Sequence, residues 1–339
     1  MAHNERSLDE LREGVAETAR AEPGTRYSLV VPIYKNEAFI GDLITRCQSL
    51  NKALQNKLEV VFVVDGSPDR SYELLAKALP AACLPSRLVV LSRNFGSFAA
   101  IRAGLSLANG PYYTMMAADL QEPEELVLQT FVALDSGDWD VVAGVRTGRN
   151  DPWLTGLASR TFWFVYRRMV QREIPRGGMD MFGCTEQVRN ALMDLEESHS
   201  TLVGLLLWLG FRRKEIGYVR LPRLHGRSAW SFRRRVKYLL DSAFAFSDLP
   251  IRLLMFIGAF GTTLSVAVSI IILVLSATHA IAVPGYAPTM LAIFFATTVI
   301  LFSLGILGSY IWRTFENTKR RPAHVIMIDR SFDGEGRAA

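Results

Sequence analysis

The chain of 339 residues contains, near its C-terminus, a long stretch with no charged side chain. No Asp, Glu, Lys or Arg occurs from Leu253 to Trp312. Two apolar runs within it, Leu253 to about Leu275 and Met290 to Trp312, are each long enough to cross the hydrocarbon core of a bilayer. The sequence therefore predicts two transmembrane helices. A buried helical hairpin in a soluble protein is the alternative.

Basic residues flank this stretch on both sides. Arg252 precedes the first run, Arg313 and Lys319 follow the second, and the linker Ser276–Thr289 contains no Lys or Arg. Segments rich in Lys and Arg stay on the cytoplasmic side of a membrane. We therefore expect a multi-pass protein of the cell inner membrane with both termini in the cytoplasm, and this asymmetry argues against the soluble hairpin.

The part of the chain before Val145 alternates between strand and helix patterns. Strands rich in β-branched residues are followed by segments with helical spacing, which predicts an α/β fold with a mostly parallel sheet. The predicted strands are Tyr27–Ile33, Glu59–Val64, Arg87–Leu91, Tyr112–Met116 and Trp139–Val145.

Polar residues follow the predicted strands where each strand ends. The carboxyl ends of parallel strands meet in one crevice, where α/β sheets bind ligands. The residues expected there are Tyr34 to Glu37, Asp65, Arg93, Asn94 and Asp119.

Asp119 stands out because Gln121 and Glu122 follow it closely. Oxygen ligands two residues apart in a turn can share one hard cation, which can in turn hold a diphosphate. Alternatively, Asp119 only caps the helix that begins near Pro123. The stretch alone leaves both interpretations open.

Several common kinds of site are absent from the sequence. It contains no G-x-G-x-x-G after the first strand, no G-x-x-x-x-G-K-S/T and no G-x-S-x-G. This argues against a dinucleotide oxidoreductase, a P-loop ATPase and an α/β-hydrolase. Cys47, Cys83 and Cys184 are too widely spaced for a zinc site and are typical of a reducing compartment.

A strongly basic segment, Arg220–Arg235, leads into the amphipathic stretch Val236–Leu249. A solvated charged surface and a nucleic-acid site are two interpretations of such a segment. Its position directly before the apolar region fits a third one better, the binding of lipid phosphates. We therefore expect a membrane partner and no nucleic acid.

These motifs together resemble family 2 glycosyltransferases, and within them the polyprenyl-phosphate branch that includes dolichol-phosphate mannosyltransferase-like and bactoprenol glucosyltransferase-like enzymes. The resemblance covers about residues 27 to 325, and the order and spacing of its motifs are specific. The motifs are Val31–Glu37, Val64–Asp69, Ser92–Gly96, Ala118–Pro123, Arg223–Phe232, Phe246–Pro250 and the two closing apolar runs.

The resemblance implies a GT-A fold, a nucleotide-sugar donor, a divalent cation (Mg²⁺ or Mn²⁺) and inverting transfer of one sugar to polyprenyl phosphate. A UDP-hexose donor, undecaprenyl phosphate as acceptor and a homo-oligomer, specifically a tetramer, are the corresponding expectations.

The resemblance also assigns site residues. Asp119 and Asp180 are the catalytic candidates, with Asp180 beside the reacting sugar, and Asp119 and Gln121 fall on metal-binding positions. Donor-nucleotide positions are Pro32, Tyr34, Glu37, Asp65, Ser67 and Asn94, and positions near the donor or acceptor phosphates are Arg146, Ser159, Arg223, Arg227 and Ser228.

Three positions depart from the family pattern. Val64 and Ala117 stand where many members carry an acid, and Thr155 stands where an acceptor-loop Arg is common. The loss of an acid at Ala117 predicts weaker cation binding. A catalytically degenerate scaffold that binds nucleotide or lipid is one alternative that follows. A processive polysaccharide synthase is another, although the sequence has no Q-x-x-R-W motif.

The sequence divides into five parts on these grounds. Met1–Pro23 is charged and lacks the apolar core of a signal peptide. The parts are an N-terminal arm (1–24), a cytoplasmic GT-A domain (25–222), a basic loop with amphipathic interface helices (223–250), two transmembrane helices (251–313) and a cytoplasmic tail (314–339).

Overall fold

A computed structural model describes residues 24–148, 174–175, 179–195, 201–222, 247, parts of 251–271, 286–319 and 321–334. Within these ranges the first half alternates strand and helix, as the sequence predicts. Its elements are β1 (Tyr27–Ile33), α1 (Ile40–Ala53), β2 (Leu58–Val64), α2 (Ser71–Ala78), β3 (Pro85–Leu91), α3 (Ser97–Leu107), β4 (Tyr112–Met115), α4 (Glu124–Asp135) and β5 (Val141–Gly148).

The second half contributes three strands that the sequence analysis does not predict. The elements there are β6 (Met181–Thr185), α5 (Glu186–Met193), α6 (Leu202–Trp208), β7 (Arg213–Val219), α7 (Tyr286–Thr318) and β8 (Ile326–Asp333). The apolar run Ser200–Gly210 indicates a helix in the sequence, and α6 lies within it. The aromatic-rich segment Pro152–Val170, whose sequence predicts a long helix, lies outside the described residues.

All eight strands form one sheet in the order β7-β5-β6-β4-β1-β2-β3-β8. The central strands β4, β1, β2 and β3 are parallel neighbours, and β5 is parallel to β7. The strand β6 runs antiparallel to β4 and β5, and β8 runs antiparallel to β3. The expected α/β fold with a mostly parallel, GT-A-like sheet is therefore confirmed.

The core lies on both faces of this sheet. Successive residues of a strand point to opposite faces, so Leu29 and Val31 of β1 pack in one buried cluster and Val30 packs in the other. The helix α3 lies very close to β1, because a Cβ at Gly104 would stand 2.3 Å from a methyl carbon of Val30. Central strands covered on both faces explain the nearly continuous apolar runs in the sequence.

One helix among the described residues, Phe295–Thr318 within α7, is long and apolar enough to cross a membrane. The described residues of 251–271 are also helical, and Met255, Phe256 and Phe260 among them are each more than half exposed. The prediction of two transmembrane helices therefore stays a prediction.

The chain after α7 returns to the sheet. The strand β8 pairs with β3 so that Ile326 lies opposite Leu91, at the carboxyl end of β3. Just before it, the carbonyl of Val325 accepts a hydrogen bond from the Ser92 N–H at 2.9 Å. The range assigned to the tail thus supplies an edge strand of the sheet.

Candidate active site

The loops after β2 and β3 are held together by Asp65, which is 2% exposed. Its carboxylate accepts hydrogen bonds from the backbone N–H groups of Phe95 (2.7 Å) and Gly96 (2.8 Å), and Asn94 Nδ2 donates to its carbonyl oxygen (3.3 Å). Burial raises the pKa of Asp65, against the effect of the two N–H donors. Asp65 therefore shapes the loop that carries Asn94.

The loop after β1 joins the same edge. Ser67 Oγ accepts a hydrogen bond from the Lys35 N–H at 2.8 Å, and the Glu37 N–H donates to Asp69 Oδ2 at 3.0 Å. Tyr34 is 39% exposed, and Pro32 is half-buried within β1. The structure thus places all six predicted donor-nucleotide residues at or beside the carboxyl ends of β1, β2 and β3.

The turn after β4 is buried and acidic. Asp119, Gln121 and Glu122 are 7%, 8% and 2% exposed. Leu120 between them has φ +56°, in the left-handed region that non-glycine residues rarely adopt. Strained residues of this kind cluster at functional sites. Asp119 is not the cap of α4, because the N-cap of that helix is Pro123 and no side chain bonds to the cap.

The segment after β7 docks on this turn. Gln121 Nε2 donates to the Leu221 carbonyl (3.1 Å), and the Leu221 N–H donates back to the Gln121 carbonyl (2.9 Å). Next to this pair, Arg220 Nη2 lies 4.0 Å from Asp119 Oδ2. The strand β7 therefore brings a guanidinium to the predicted metal-binding acid.

Asp180 is the second predicted catalytic acid, just before β6. Its Oδ2 accepts hydrogen bonds from Arg146 Nε (2.5 Å) and from the Tyr218 hydroxyl (3.0 Å). Burial and the nearby Asp180 charge raise the pKa of Tyr218, so this hydroxyl stays protonated and donates. Residues of β5 and β7 thus fix the orientation of Asp180.

The acidic turn after β4 and Asp180 belong to one site. Burial raises the pKa of Glu122 to about 7, and the charges of Asp119 and Asp180 raise it too, whereas Arg220 lowers it. Asp119, Asp180 and Arg220 therefore all lie within electrostatic reach of Glu122. The Oε2 atom of Glu122 also accepts the Ala117 N–H at 3.3 Å.

The residues present fit a hard divalent cation with few protein ligands. The described residues contain no cluster of three or more His, Cys, Asp or Glu side chains arranged as a metal site. Asp119 offers a carboxylate, and because Gln121 Nε2 is bonded to Leu221, the side-chain carbonyl oxygen is the atom that Gln121 can offer a cation. Mg²⁺ commonly uses one or two carboxylates and takes its other ligands from water and substrate phosphates.

The predicted phosphate-binding residues have mixed outcomes. Arg146 lies in the site, where its described partner is Asp180. Ser159, Arg223, Arg227 and Ser228 lie outside the described residues. The sequence assigns no role to Glu122 or Tyr218, and it places Arg220 only at the start of the basic segment that is expected to bind lipid phosphates. Glu122 directly follows the predicted ligand Gln121, but the positions of Tyr218 and Arg220 depend on β7.

The sequence of this chain is similar to those of known glycosyltransferases. Residues 28–194 match the family model described as glycosyl transferase family 2. An uncharacterized glycosyltransferase of Synechocystis sp. is 32% identical over 304 residues, which are 88% of this chain and 94% of that protein. CsbB of Bacillus subtilis, described as a glycosyltransferase, is 34% identical over 302 residues, 88% of this chain and 90% of that protein.

Among solved structures, a glucosyl-3-phosphoglycerate synthase from Mycobacterium tuberculosis in complex with uridine diphosphate superposes with a TM-score of 0.47. Its sequence identity is 20%, and the match covers 72% of this chain and 87% of that one. The identity and coverage of the two relatives described above establish the family: this chain belongs to the family 2 glycosyltransferases, which transfer sugars from nucleotide-sugars.

Proposed function

We propose that this glycosyltransferase moves one sugar, with inversion, from a UDP-hexose to a polyprenyl phosphate such as undecaprenyl phosphate. The reaction takes place at the cytoplasmic face of the cell inner membrane, where two transmembrane helices hold the enzyme. The product is a polyprenyl-phospho-sugar.

The observation that carries this proposal is the path of the chain from α7 back to the sheet. The helix ends at Thr318, and Val325 already bonds to Ser92, the first residue of the loop that Asp65 holds. Residues 319–325 can span at most about 25 Å. A crevice this close to the end of an apolar helix is within reach of a lipid headgroup.

The acceptor is inferred from that position. A polyprenyl phosphate keeps its tail in the bilayer and its phosphate at the headgroup level, so an enzyme that uses it must hold its crevice against the membrane surface. The basic segment Arg220–Arg235 lies between the catalytic half and the apolar runs in sequence. Arginine binds phosphate through a planar fork, which orients the group as well as neutralising it.

The proposed sugar transfer needs little help from a general base. A phosphate monoester has a second pKa of about 6, so the proposed nucleophile is already largely anionic at neutral pH. A divalent cation supplies positive charge for the leaving diphosphate. Asp119 and Gln121 would hold that cation, and Asp180, fixed by Arg146 and Tyr218, would orient a hydroxyl of the transferred sugar.

A transfer assay tests the proposal. Purified enzyme in detergent receives radiolabelled UDP-hexoses, undecaprenyl phosphate and Mg²⁺, and the label is followed into solvent-extractable lipid. We expect one sugar per lipid, released by mild acid, and loss of transfer in Asp119→Asn with the protein still folded. Label in a polymer would instead identify a processive synthase. No transfer from any nucleotide-sugar would leave a binding scaffold.

Topology and assembly have tests of their own. We propose that both termini are cytoplasmic. A reporter that works only in the cytoplasm should therefore be active when it is fused to either end of the chain. We also propose a homotetramer, which light scattering of the detergent complex would show as a mass of four chains.

A further inference from the structure

Arg220 occupies a fixed place beside the metal-binding acid. Its Nη2 is 4.0 Å from Asp119 Oδ2, and the side chains of Arg220 and Asp119 are 31% and 9% exposed. Its neighbour Leu221 is bonded twice to Gln121. The main chain beside Arg220 is therefore anchored to the acidic turn, which keeps the guanidinium within reach of Asp119.

Two ion pairs of the site lie among the described residues. Arg146 forms an ion pair with Asp180 at 2.5 Å, and Arg220 lies 4.0 Å from Asp119. The influence of Arg220 also reaches Glu122, whose pKa it lowers. Within the described part of the chain, Arg220 is thus the positive group beside the buried acids on the Asp119 side.

A divalent cation requires the same carboxylate of Asp119, and two positive groups at one carboxylate repel each other. A nucleotide diphosphate changes this balance, because its oxygens can accept hydrogen bonds from a guanidinium while they also neutralise a cation. Arg220 can therefore oppose the cation in the empty site and support the diphosphate in the loaded one.

We propose that Arg220 is the resident counter-ion of Asp119, which keeps the cation affinity of the donor-free enzyme low and turns to the donor diphosphate when donor and cation bind together. This inference rests on the cation site of the proposed function. It makes donor and cation bind cooperatively, so that the enzyme gains its charge-stabilising cation only together with substrate.

The test measures Mn²⁺ binding without any donor, by electron paramagnetic resonance of free Mn²⁺ in titrations of the detergent-solubilised full chain. Arg220→Gln should bind Mn²⁺ at least about fivefold more tightly than the wild type. Arg220 Nη2 lies 4.0 Å from Asp119 Oδ2, and the interaction of two unit charges at that distance in a high dielectric corresponds to about this factor. Arg220→Lys, which keeps the charge, should stay close to the wild type. A structural role for Arg220 would move the affinity in the opposite direction.

Controls separate this inference from the proposed function. Arg212→Gln removes an arginine just before the other end of β7, where it pairs with Asp140, and should leave Mn²⁺ affinity unchanged. Asp119→Asn should lose Mn²⁺ binding. If it does not, the cation site itself is wrong, whatever Arg220 does.

The inference on Arg220 is overturned if Arg220→Gln binds Mn²⁺ no more tightly than the wild type, including the case in which neither binds. Arg220→Met is a second neutral variant should Arg220→Gln fail to fold, with thermal melting as the check.

Discussion

Arg87 and Asp329 form a two-point ion pair across the β3–β8 edge of the sheet. Nε of Arg87 donates to Oδ1 at 2.7 Å and Nη2 donates to Oδ2 at 2.6 Å. Arg87 Nη1 also donates to the carbonyl of Leu107 at the end of α3 (3.0 Å). The strand that follows the apolar helix is thus fixed to the sheet by side chains as well as by its backbone ladder.

Asp329→Asn should loosen β8 without unfolding the domain. The pair is about one-third exposed, so its loss should cost about 0.5–1 kcal/mol, the range for a well-aligned pair near the surface. Hydrogen exchange should then speed up in Ile326–Asp333 and at the Ser92 amide. The exposed Glu73→Gln on α2 is the control, and unchanged exchange in β8 of Asp329→Asn would contradict the prediction.

The sequence predicts the central sheet because central strands carry their own signal. The strand β2 is buried along nearly its whole length, so its run of Val and Phe is visible without any partner. The edge strands β7 and β8 are mostly exposed, and each contains three charged residues. Pairing with β5 and β3 makes them strands, and local sequence does not contain that information.

The site follows the same rule. Asp119 and Asp65 are predictable because each ends a buried strand, and the resemblance adds Asp180 and Gln121. Arg220 and Tyr218 come into the site only through the parallel pairing of β7 with β5. The sequence and the resemblance therefore point to three acids of the site and to Arg146, but they do not place Tyr218 and Arg220 beside those acids.

Asp180→Asn should lower kcat by about 10²–10³, with a much smaller effect on the KM for the donor. The reason is that Arg146 and Tyr218 hold the carboxylate in one orientation, and preorganised groups contribute mainly in the transition state. Tyr218→Phe keeps the charge and should lose about tenfold or less. Steady-state kinetics of sugar transfer measure both, with Asp140→Asn, just before the opposite end of β5 from Arg146, as the control.

The opposite pattern would count against this role. A kcat for Asp180→Asn within twofold of the wild type would show that the carboxylate does not act on the sugar. An increase in KM alone would make Asp180 a donor-binding group.

Glu122 should make stability fall as pH rises. Its pKa is raised from 4.5 to about 7 by burial and by Asp119, so the folded state binds a proton more tightly than the unfolded chain. The stability from this proton is fully present below pH 4.5 and is lost as pH rises to about 7, by up to about 3 kcal/mol. In EDTA, Glu122→Gln should therefore gain Tm over the wild type at pH 8 but not at pH 4.5.

Two comparisons check this prediction. Glu125→Gln on α4 removes an acid of the same type close by in sequence and should show no such pH-dependent gain. A difference in Tm between Glu122→Gln and the wild type that is the same at both pH values would show that the buried carboxyl does not titrate between them.

Gly66→Ala should distort the contact between the loops after β2 and β3, which carry predicted donor-nucleotide residues. Gly66 has φ +54°, and a Cβ there would lie 2.3 Å from the backbone carbon of Arg93 and 2.5 Å from the Asn94 nitrogen. Backbone atoms cannot move aside without shifting the loop that Asp65 holds, so we expect a loss of about 2 kcal/mol or more in stability and a raised KM for the donor. Gly41→Ala in α1, with nothing within 4 Å, should be neutral or stabilising because alanine favours helix. Thermal unfolding and the KM for the donor are measured for both variants. If Gly66→Ala and Gly41→Ala gave the same values, the close contact between the loops after β2 and β3 would not be needed.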